Sequence, residues 1–309
     1  MSPESSAAVP GSRGWAPAVA ALAALVLTVL AISDVLERVE FAVAWGMWIA
    51  VPLGLTLAPI APTRRHWLHL LWVPSALAGA LSFLGEVGAV WVGVLGGVYV
   101  GFCSAVALVG LLELRRGGWE PARACASLGL LLLPVAGAWH VAERMGWTVL
   151  GFSGLWSGLT AAHFHFAGFS TPILLGLGLQ RVPRRKLNWG EVGLLTLGVP
   201  SVALGITFSP ELALLGTACM ALPIWAYCLR ALGARSGSGL VRVLRSLSAL
   251  VPLLTMSLAL VWSLSVVLRV SWLDLNQMIR YHGLANALGF ISLGFTAECF
   301  AQRPDGAGT

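Results

Sequence analysis

Residues 87–116 read VGAVWVGVLGGVYVGFCSAVALVGLLELRR, with no charged side chain before Glu113 and two arginines at the end. About 20 consecutive apolar residues are enough for an α-helix to cross the roughly 30 Å hydrocarbon core of a bilayer. The stretch therefore predicts a membrane-spanning helix that ends beside a positively charged loop.

The rest of the chain has the same character. Of its 309 residues, 58% are hydrophobic and only 10% are charged, whereas soluble globular proteins have about 25% charged residues. So few charges cannot cover a surface that faces water, and lipid is the expected surrounding. We therefore predict an all-α fold, a polytopic transmembrane helical bundle.

Ten apolar segments predict about ten spans. Nine or eleven remain open, because the third and fourth segments and the seventh and eighth are very close in sequence. The predicted spans are 15–33, 41–62, 67–85, 87–113, 123–142, 155–180, 191–208, 210–232, 246–270 and 279–300. They form a single transmembrane domain over residues 15–300.

The two ends of the chain are predicted to be tails. Residues 1–14 are rich in Ser, Pro, Gly and Ala and are expected to be a disordered cytoplasmic tail. Residues 301–309 are expected to be a short cytoplasmic tail. Segment 15–33 lacks the basic start and the cleavage site of a signal peptide, and we expect it to be retained as a span.

The basic residues predict the orientation. With ten spans and the N-terminus inside, the outer side holds only Arg38, Arg144, Arg269 and Arg280 of the 19 Lys and Arg residues. Loops rich in Lys and Arg stay in the cytoplasm, so we predict both termini inside and a bacterial inner, or cell, membrane location. Because these charges lie in short loops and do not cluster on one face, we expect no nucleic-acid partner. The expected partners are the lipid bilayer and a small-molecule or lipid substrate.

Glycine spacing predicts close helix packing. Gly93, Gly97 and Gly101 recur at every fourth residue of the fourth segment. Small residues at this spacing let two helices approach closely within a membrane. We therefore expect these three glycines in a helix–helix contact.

Ionisable and polar side chains within apolar spans are costly and mark candidate functional sites. In the predicted topology most of them fall in the outer half of the bundle. The ligand-binding or proton-relay candidates are His163, His165, His282, Asn286, Arg280, His140 and Glu143. No metal site is predicted, and the sequence assigns no catalytic residue and no cofactor.

His163 and His165 lie two residues apart in the sixth segment. On a regular helix such residues point about 200° apart and cannot hold one metal together. His163 shares its face with Ala167 and Ser170, whereas His165 shares its face with the bulkier Phe169. We therefore expect His163 to face a cavity, about 12 Å below the outer end of its helix, and His165 to face a neighbouring helix.

Two further pairs share a helix face. His282 and Asn286 are four residues apart, so an imidazole and a carboxamide could orient each other or hold a polar ligand. His140 and Glu143 are three residues apart near the end of the fifth segment.

Two motifs resemble the YndJ family of bacterial membrane proteins. They are His163-Phe-His165-Phe-Ala-Gly-Phe169 in the sixth segment and Arg280-x-His282-Gly-x-x-Asn286-Ala-x-Gly-Phe290 in the tenth. The layout of about ten spans is also similar. Members are commonly described as transporter-like without an established substrate. The resemblance implies a transporter-like membrane protein in which His163, His165, His282 and Asn286 are site candidates.

Three functions remain in competition. A transporter needs a polar site near the middle of the membrane and interrupted helices, and proline interrupts several spans. A membrane-embedded enzyme could use the same side chains for acid–base chemistry, such as cyclisation or isomerisation of a lipid or isoprenoid. The histidines could also be axial ligands of haem or bind a metal. Whether the protein is an enzyme is left open.

Overall fold

The computed structural model describes residues 15–33, 36–116, 120–183 and 186–302. Within these residues every element of regular secondary structure is helical, and the helical segments join into ten continuous helices. The helices are α1 (Trp15–Ile32), α2 (Arg38–Leu57), α3 (Pro62–Leu84), α4 (Val90–Arg116), α5 (Pro121–Arg144), α6 (155–179), α7 (Lys186–Phe208), α8 (Pro210–Gly233), α9 (Gly239–Leu268) and α10 (Leu275–Ala301). The predicted all-α polytopic bundle is confirmed. The predicted tail 1–14, most of the tail 301–309, and the loop arginines Arg184 and Arg185 lie outside the described residues.

The helices have the length and composition of membrane spans. In the described part of the chain, nine of them are long and apolar enough to cross a bilayer, and only α6 is not among them. α6 carries His163 and His165, and its second half, Thr171–Leu179, is almost entirely buried by neighbouring helices. The chain is therefore a multi-pass membrane protein in which the helix that carries these two histidines is largely shielded from lipid.

Apolar side chains cover the outside of the bundle as well as its inside. Leu22, Leu229 and Leu254 are each more than 60% exposed, while Trp72 and Phe295 are fully buried. Exposed leucines on this scale would be unfavourable in water, but in lipid they are the normal surface.

Most consecutive helices pack as antiparallel hairpins, most extensively α4 with α5, α7 with α8, and α8 with α9, whereas α6 and α7 make few contacts with each other. The bundle therefore has two ends. We call the end at which α2, α6, α8 and α10 begin the cavity end. We call the opposite end, at which α3, α7 and α9 begin, the ion-pair end.

Three helices depart from the regular α-helical form predicted from the sequence. Wide π-helical turns occur at Gly46–Ala50 in α2, at Phe164–Ser170 in α6, and at Met278–Leu284 and Asn286–Ser292 in α10. The turns in α2 and α6 and the second turn in α10 contact one another in the centre of the bundle. Wide turns of this kind are rare in proteins as a whole, and those that occur often lie at functional sites.

Glycine allows the close approach of α2 and α6. A Cβ atom at Gly46 would lie 2.7 Å from Cβ and Cγ of His165, so no other residue fits without displacing the ring. The predicted role of the α4 glycines is only partly right. Gly93 faces the Met145 sulfur, but among the described residues a Cβ at Gly97 or Gly101 would meet nothing within 4 Å. These two positions lie on an outward face of α4, where spacing alone cannot create a partner helix.

Candidate functional site

A cavity of about 550 Å³ lies between α6 and the group formed by α7 to α10, with the start of α2 at its side. The first half of α6 packs on α5 and α2, whereas α8 packs on α7 and α9, and the cavity lies between these two groups of helices. Exposed residues such as Trp156 and Pro210 form the rim at the cavity end. The deepest lining residues include Thr171 of α6, about 24 Å along the helix from its start at Leu155.

His163 faces this cavity. Its side chain is exposed, and the surface that it exposes belongs to the cavity lining. Within the described residues no group makes a hydrogen bond to its imidazole ring, which packs edge-on against the neighbouring ring of Phe164. His282 of α10 lines the same cavity. The predicted cavity-facing orientation of His163 therefore agrees with the structure.

His282 and Asn286 form a hydrogen-bonded group with Thr255 of α9. Nδ1 of His282 donates to the Thr255 carbonyl oxygen at 2.8 Å, which leaves Nε2 as the unprotonated nitrogen of the neutral ring. The Asn286 amide nitrogen donates to the His282 carbonyl oxygen at 2.8 Å, and its oxygen accepts from Thr255 Oγ1 at 2.8 Å. Asn286 therefore holds His282 in place, and its amide is largely occupied in doing so.

The position of His282 depends on how α10 begins. Asp274 accepts a hydrogen bond from the Gln277 backbone N–H at 2.8 Å, and the Gln277 side chain accepts from the Asp274 N–H at 2.9 Å. This reciprocal pair is a capping box, which fixes the first turn of a helix. His282 follows seven residues after the start of α10 at Leu275, about 10 Å below the cavity end.

His165 does not line the cavity. It is fully buried on the opposite side of the same turn, where Nδ1 donates to the Ala161 carbonyl oxygen at 2.8 Å. Nε2 therefore accepts a hydrogen bond from the Tyr99 hydroxyl of α4 at 2.7 Å. The predicted contact of His165 with a neighbouring helix agrees with the structure: its ring packs against Gly46 of α2 and is hydrogen-bonded to Tyr99 of α4.

His140 also belongs to this second, closed cluster and not to the cavity. Ser82 donates to the Gly79 carbonyl oxygen at 2.6 Å, so Nε2 of His140 donates to Ser82 Oγ at 3.0 Å. Nδ1 of His140 is buried without a hydrogen-bond partner among the described residues. The ring packs edge-on against Tyr99 and Phe83. The structure therefore separates the four predicted histidines into an open pair and a closed pair.

Glu143 and Arg280 lie away from the cavity lining. Glu143 contacts the buried Arg144, with Nη1 to Oε1 at 3.4 Å, and Arg144 also donates to the Gly85 carbonyl oxygen at 2.7 Å. These contacts tie the end of α5 to the loop after α3. Arg280 is exposed at the cavity end. Although His140 and Glu143 were predicted to share a face, they contact different residues: His140 contacts Ser82, and Glu143 contacts Arg144.

The ion-pair end holds a buried carboxylate between two arginines. Glu298 of α10 is only 1% exposed, and it accepts from Arg245 Nε of α9 at 3.2 Å and from Arg181 Nη1 at 3.0 Å. The hydrogen bond with Glu298 raises the pKa of Arg181 above its ordinary value, so this guanidinium stays charged. The cluster joins α9, α10 and the segment after α6.

Two more ion pairs lie at the same end. Glu191 of α7 pairs in a two-pronged arrangement with Arg230 of α8, at 2.6 and 2.7 Å, and Glu113 of α4 pairs with Arg64 of α3. Both carboxylates are buried. The sequence reasoning assigned the arginines only to loops and missed these carboxylates. The available signal was that each acidic residue lies within a few residues of an arginine-rich loop.

The donor set offers little for a protein-built metal centre. Among the described residues there is no group of three or more His, Cys, Asp or Glu side chains placed to hold a metal ion. Cys103, Cys125 and Cys228 are buried and unpaired as disulfides. The two cavity histidines could provide at most two ligands from facing helices.

Comparisons with known proteins agree with the sequence motifs. The sequence model of the family described as YndJ-like protein matches residues 41–290. The chain is 28% identical over 225 residues to a Bacillus subtilis (strain 168) protein named as the uncharacterized membrane protein YndJ. That alignment covers 70% of this chain and 39% of the relative, so the chain spans about two fifths of the relative's length. No solved structure matches the chain.

Proposed function

We propose that this chain, which belongs to the YndJ-like family of multi-pass membrane proteins, is a carrier for an amphipathic, lipid-like molecule. The observation that carries the proposal is the cavity, which opens at one end of the bundle, reaches its middle and ends before the opposite, ion-paired end. Carriers bind their substrate near the middle of the membrane and expose the site to one side at a time. With the termini in the cytoplasm, this conformation is open outward.

The lining suits a molecule with a long apolar part and one small polar part. Most of the wall is hydrophobic, including Met220, Met256, Trp262 and Phe290. A volume of about 550 Å³ falls within the range of roughly 300–1,000 Å³ that is typical of pockets for small molecules. Polar side chains are few, and the imidazoles of His163 and His282 can fix the orientation of a bound molecule.

The ion-pair end provides a closed side. Opening the bundle at this end would separate Glu298 from Arg245. Separating a buried ion pair is costly, but water that enters the opened end would hydrate both charges and reduce that cost. The wide turns in α2, α6 and α10 meet just beside the cavity. Turns with weakened helical hydrogen bonding are natural points at which two groups of helices can change their relative position.

The free ring of His163 also favours a second candidate function, an enzyme acting on a lipid. An imidazole that no protein group occupies within the described residues can transfer a proton to or from a bound molecule. The carrier is the better-supported function because no carboxylate among the described lining residues accompanies the imidazoles as an acid–base partner.

The experiment is a transfer assay in proteoliposomes. Single-chain lysolipids with a fluorescent label on the chain and neutral, zwitterionic or anionic head groups are distributed over both leaflets, and external dithionite then quenches only the outer-leaflet label. We expect at least one probe to lose its protected fluorescence several-fold faster with the protein than in protein-free vesicles. Mass spectrometry of the recovered probe separates transport of an unchanged molecule from enzymatic conversion.

A cavity-filling variant provides the specificity control. Ala167 lines the cavity one turn below His163, so Ala167→Trp should fill it and abolish transfer. Ala21 is exposed on α1, and Ala21→Trp should leave transfer unchanged. If no probe moves faster than in empty vesicles, or if both variants act alike, the carrier proposal is wrong. A visible absorption band of the purified protein would indicate haem binding instead.

A further inference from the structure

We infer that the polar end of the carried molecule is an oxyanion, a phosphate monoester or a carboxylate, on a single apolar chain. The inference rests on the proposed function, because it names the substrate class of the same cavity. It is carried by the charge of the lining and by the hydrogen-bonding state of the two cavity histidines.

The charge of the lining has one sign. Among the described residues that line the cavity, Arg38 is the only Lys, Arg, Asp or Glu. Arg38 makes one long hydrogen bond, from Nη1 to the Asn276 side-chain oxygen at 3.4 Å, and no ion pair with another described residue. A cationic head group would therefore find no counter-charge on the wall, whereas an anion entering at the rim is attracted by a guanidinium.

The two histidines present complementary groups deeper in the cavity. A neutral imidazole always carries one N–H, and no described group accepts it from His163, so this ring can donate a hydrogen bond to an oxyanion. His282 has its Nδ1–H occupied by the Thr255 carbonyl oxygen, so its Nε2 offers a lone pair. The two rings therefore supply one donor and one acceptor to the same cavity.

A singly protonated phosphate monoester matches this pair. It carries P–O⁻ oxygens that accept from His163 and a P–O–H that donates to the His282 lone pair. Its second ionisation lies near pH 6, so the singly protonated form is accessible under physiological conditions. A carboxylate offers only acceptors unless it takes up a proton, so we expect it to bind behind the phosphate but ahead of uncharged head groups.

The apolar chain has room on both sides of the histidines. Leu275 and Trp156 line the cavity toward its rim, and Ile224 and Phe290 line it toward its floor. His163 lies about 12 Å and Thr171 about 24 Å below the start of α6. The apolar chain of the ligand can therefore lie along the apolar wall while its head group stays at the imidazoles. Neither the apolar chain is exposed to water nor the head group to an apolar wall.

Binding of four ligands with the same dodecyl chain tests the inference. Dodecyl phosphate, dodecanoate, dodecanol and dodecyltrimethylammonium, each below its micelle-forming concentration, compete with a fluorescent lysolipid on the purified full-length chain in lipid nanodiscs. We expect the phosphate and the carboxylate to bind about tenfold or more tightly than the alcohol, as befits a charge-assisted hydrogen bond. The trimethylammonium ligand should bind most weakly.

Two arginines at the same end of the bundle make a matched pair of variants. Arg38→Gln removes the charge from the cavity lining, and Arg280→Gln removes an exposed charge that does not line the cavity. Only Arg38→Gln should weaken the binding of the two anions while it leaves dodecanol binding unchanged, and Arg38→Lys should restore part of the loss. An equal effect of Arg280→Gln would overturn the inference.

The outcomes separate this inference from the proposed function. If all four head groups bind equally and Ala167→Trp still blocks them, the oxyanion inference is wrong and the carrier proposal stands. If none of the four ligands competes and no lysolipid is transferred, the carrier proposal itself fails.

Discussion

The Tyr99 hydroxyl of α4 donates a hydrogen bond to Nε2 of His165 at 2.7 Å, while Nδ1 of the same ring donates to the Ala161 carbonyl oxygen. Both nitrogens of His165 are thus satisfied by the protein. His163, two residues earlier on the same turn, faces the cavity with no hydrogen-bond partner in the described part of the chain. Two histidines of one motif therefore have different surroundings: one ring is enclosed by the protein and the other faces the cavity.

Removal of the Tyr99 hydroxyl should destabilise the bundle. In Tyr99→Phe, Nε2 of the fully buried His165 loses its donor, and an unsatisfied buried acceptor costs about 1–3 kcal/mol. We expect a lower midpoint of thermal unfolding in detergent. Tyr281 is 58% exposed, so Tyr281→Phe is the control and should leave the midpoint unchanged. Equal midpoints for the two variants would contradict the assigned role of the hydrogen bond.

Gly46 should not tolerate even a methyl group. The new Cβ in Gly46→Ala would lie 2.7 Å from Cβ and Cγ of His165, a ring that Tyr99 and Ala161 hold in place. Overpacking of this kind costs about 1–3 kcal/mol. The measurement is the same unfolding midpoint, and Gly101→Ala is the control because a Cβ there meets nothing within 4 Å among the described residues. A similar midpoint shift in the two variants would be evidence against the close α2–α6 contact.

The sequence predicted the helices well because each span is long, apolar and bounded by charges. It also predicted which of His163 and His165 faces the cavity, because a helix places residues two apart on opposite sides. The sequence could not show that His140 lies apart from His163 and His282. Which residues of different helices become neighbours is decided by how the helices pack, and the sequence of one helix does not contain that information. The wide turns were also beyond it, because a π-helical turn changes the register through tertiary contacts and not through any local residue type.

The buried carboxylate of Glu298 should be essential for the stability of the ion-pair end. Glu298→Gln removes the charge and leaves the buried Arg245 guanidinium without its counter-ion, and breaking a buried pair in this way costs about 3–5 kcal/mol. Glu86→Gln, at an exposed position after α3, is the control and should have no effect on unfolding. If Glu298→Gln unfolds at the wild-type midpoint, the cluster does not hold this end together.

The orientation of the bundle is a further prediction. If the positive-inside rule applies, Ser236, in the loop between α8 and α9, lies in the cytoplasm, and Trp147, between α5 and α6, lies outside. A cytoplasmically active reporter fused after Ser236 should be active, and the same reporter fused after Trp147 should be silent. The reverse result would mean that the cavity opens toward the cytoplasm and that the direction of the proposed transport is inverted.

The strongest test of a shared site is a double-mutant cycle on His163 and His282. Both rings line one cavity, so if both contact one head group, the loss of either removes part of the same interaction. We expect His163→Ala and His282→Ala to weaken dodecyl phosphate binding with a coupling energy of about 0.5 kcal/mol or more. His163→Ala combined with His140→Ala is the control cycle, because His140 lies in the closed cluster with Ser82. Additive effects in the first cycle would mean that the two imidazoles do not hold one ligand.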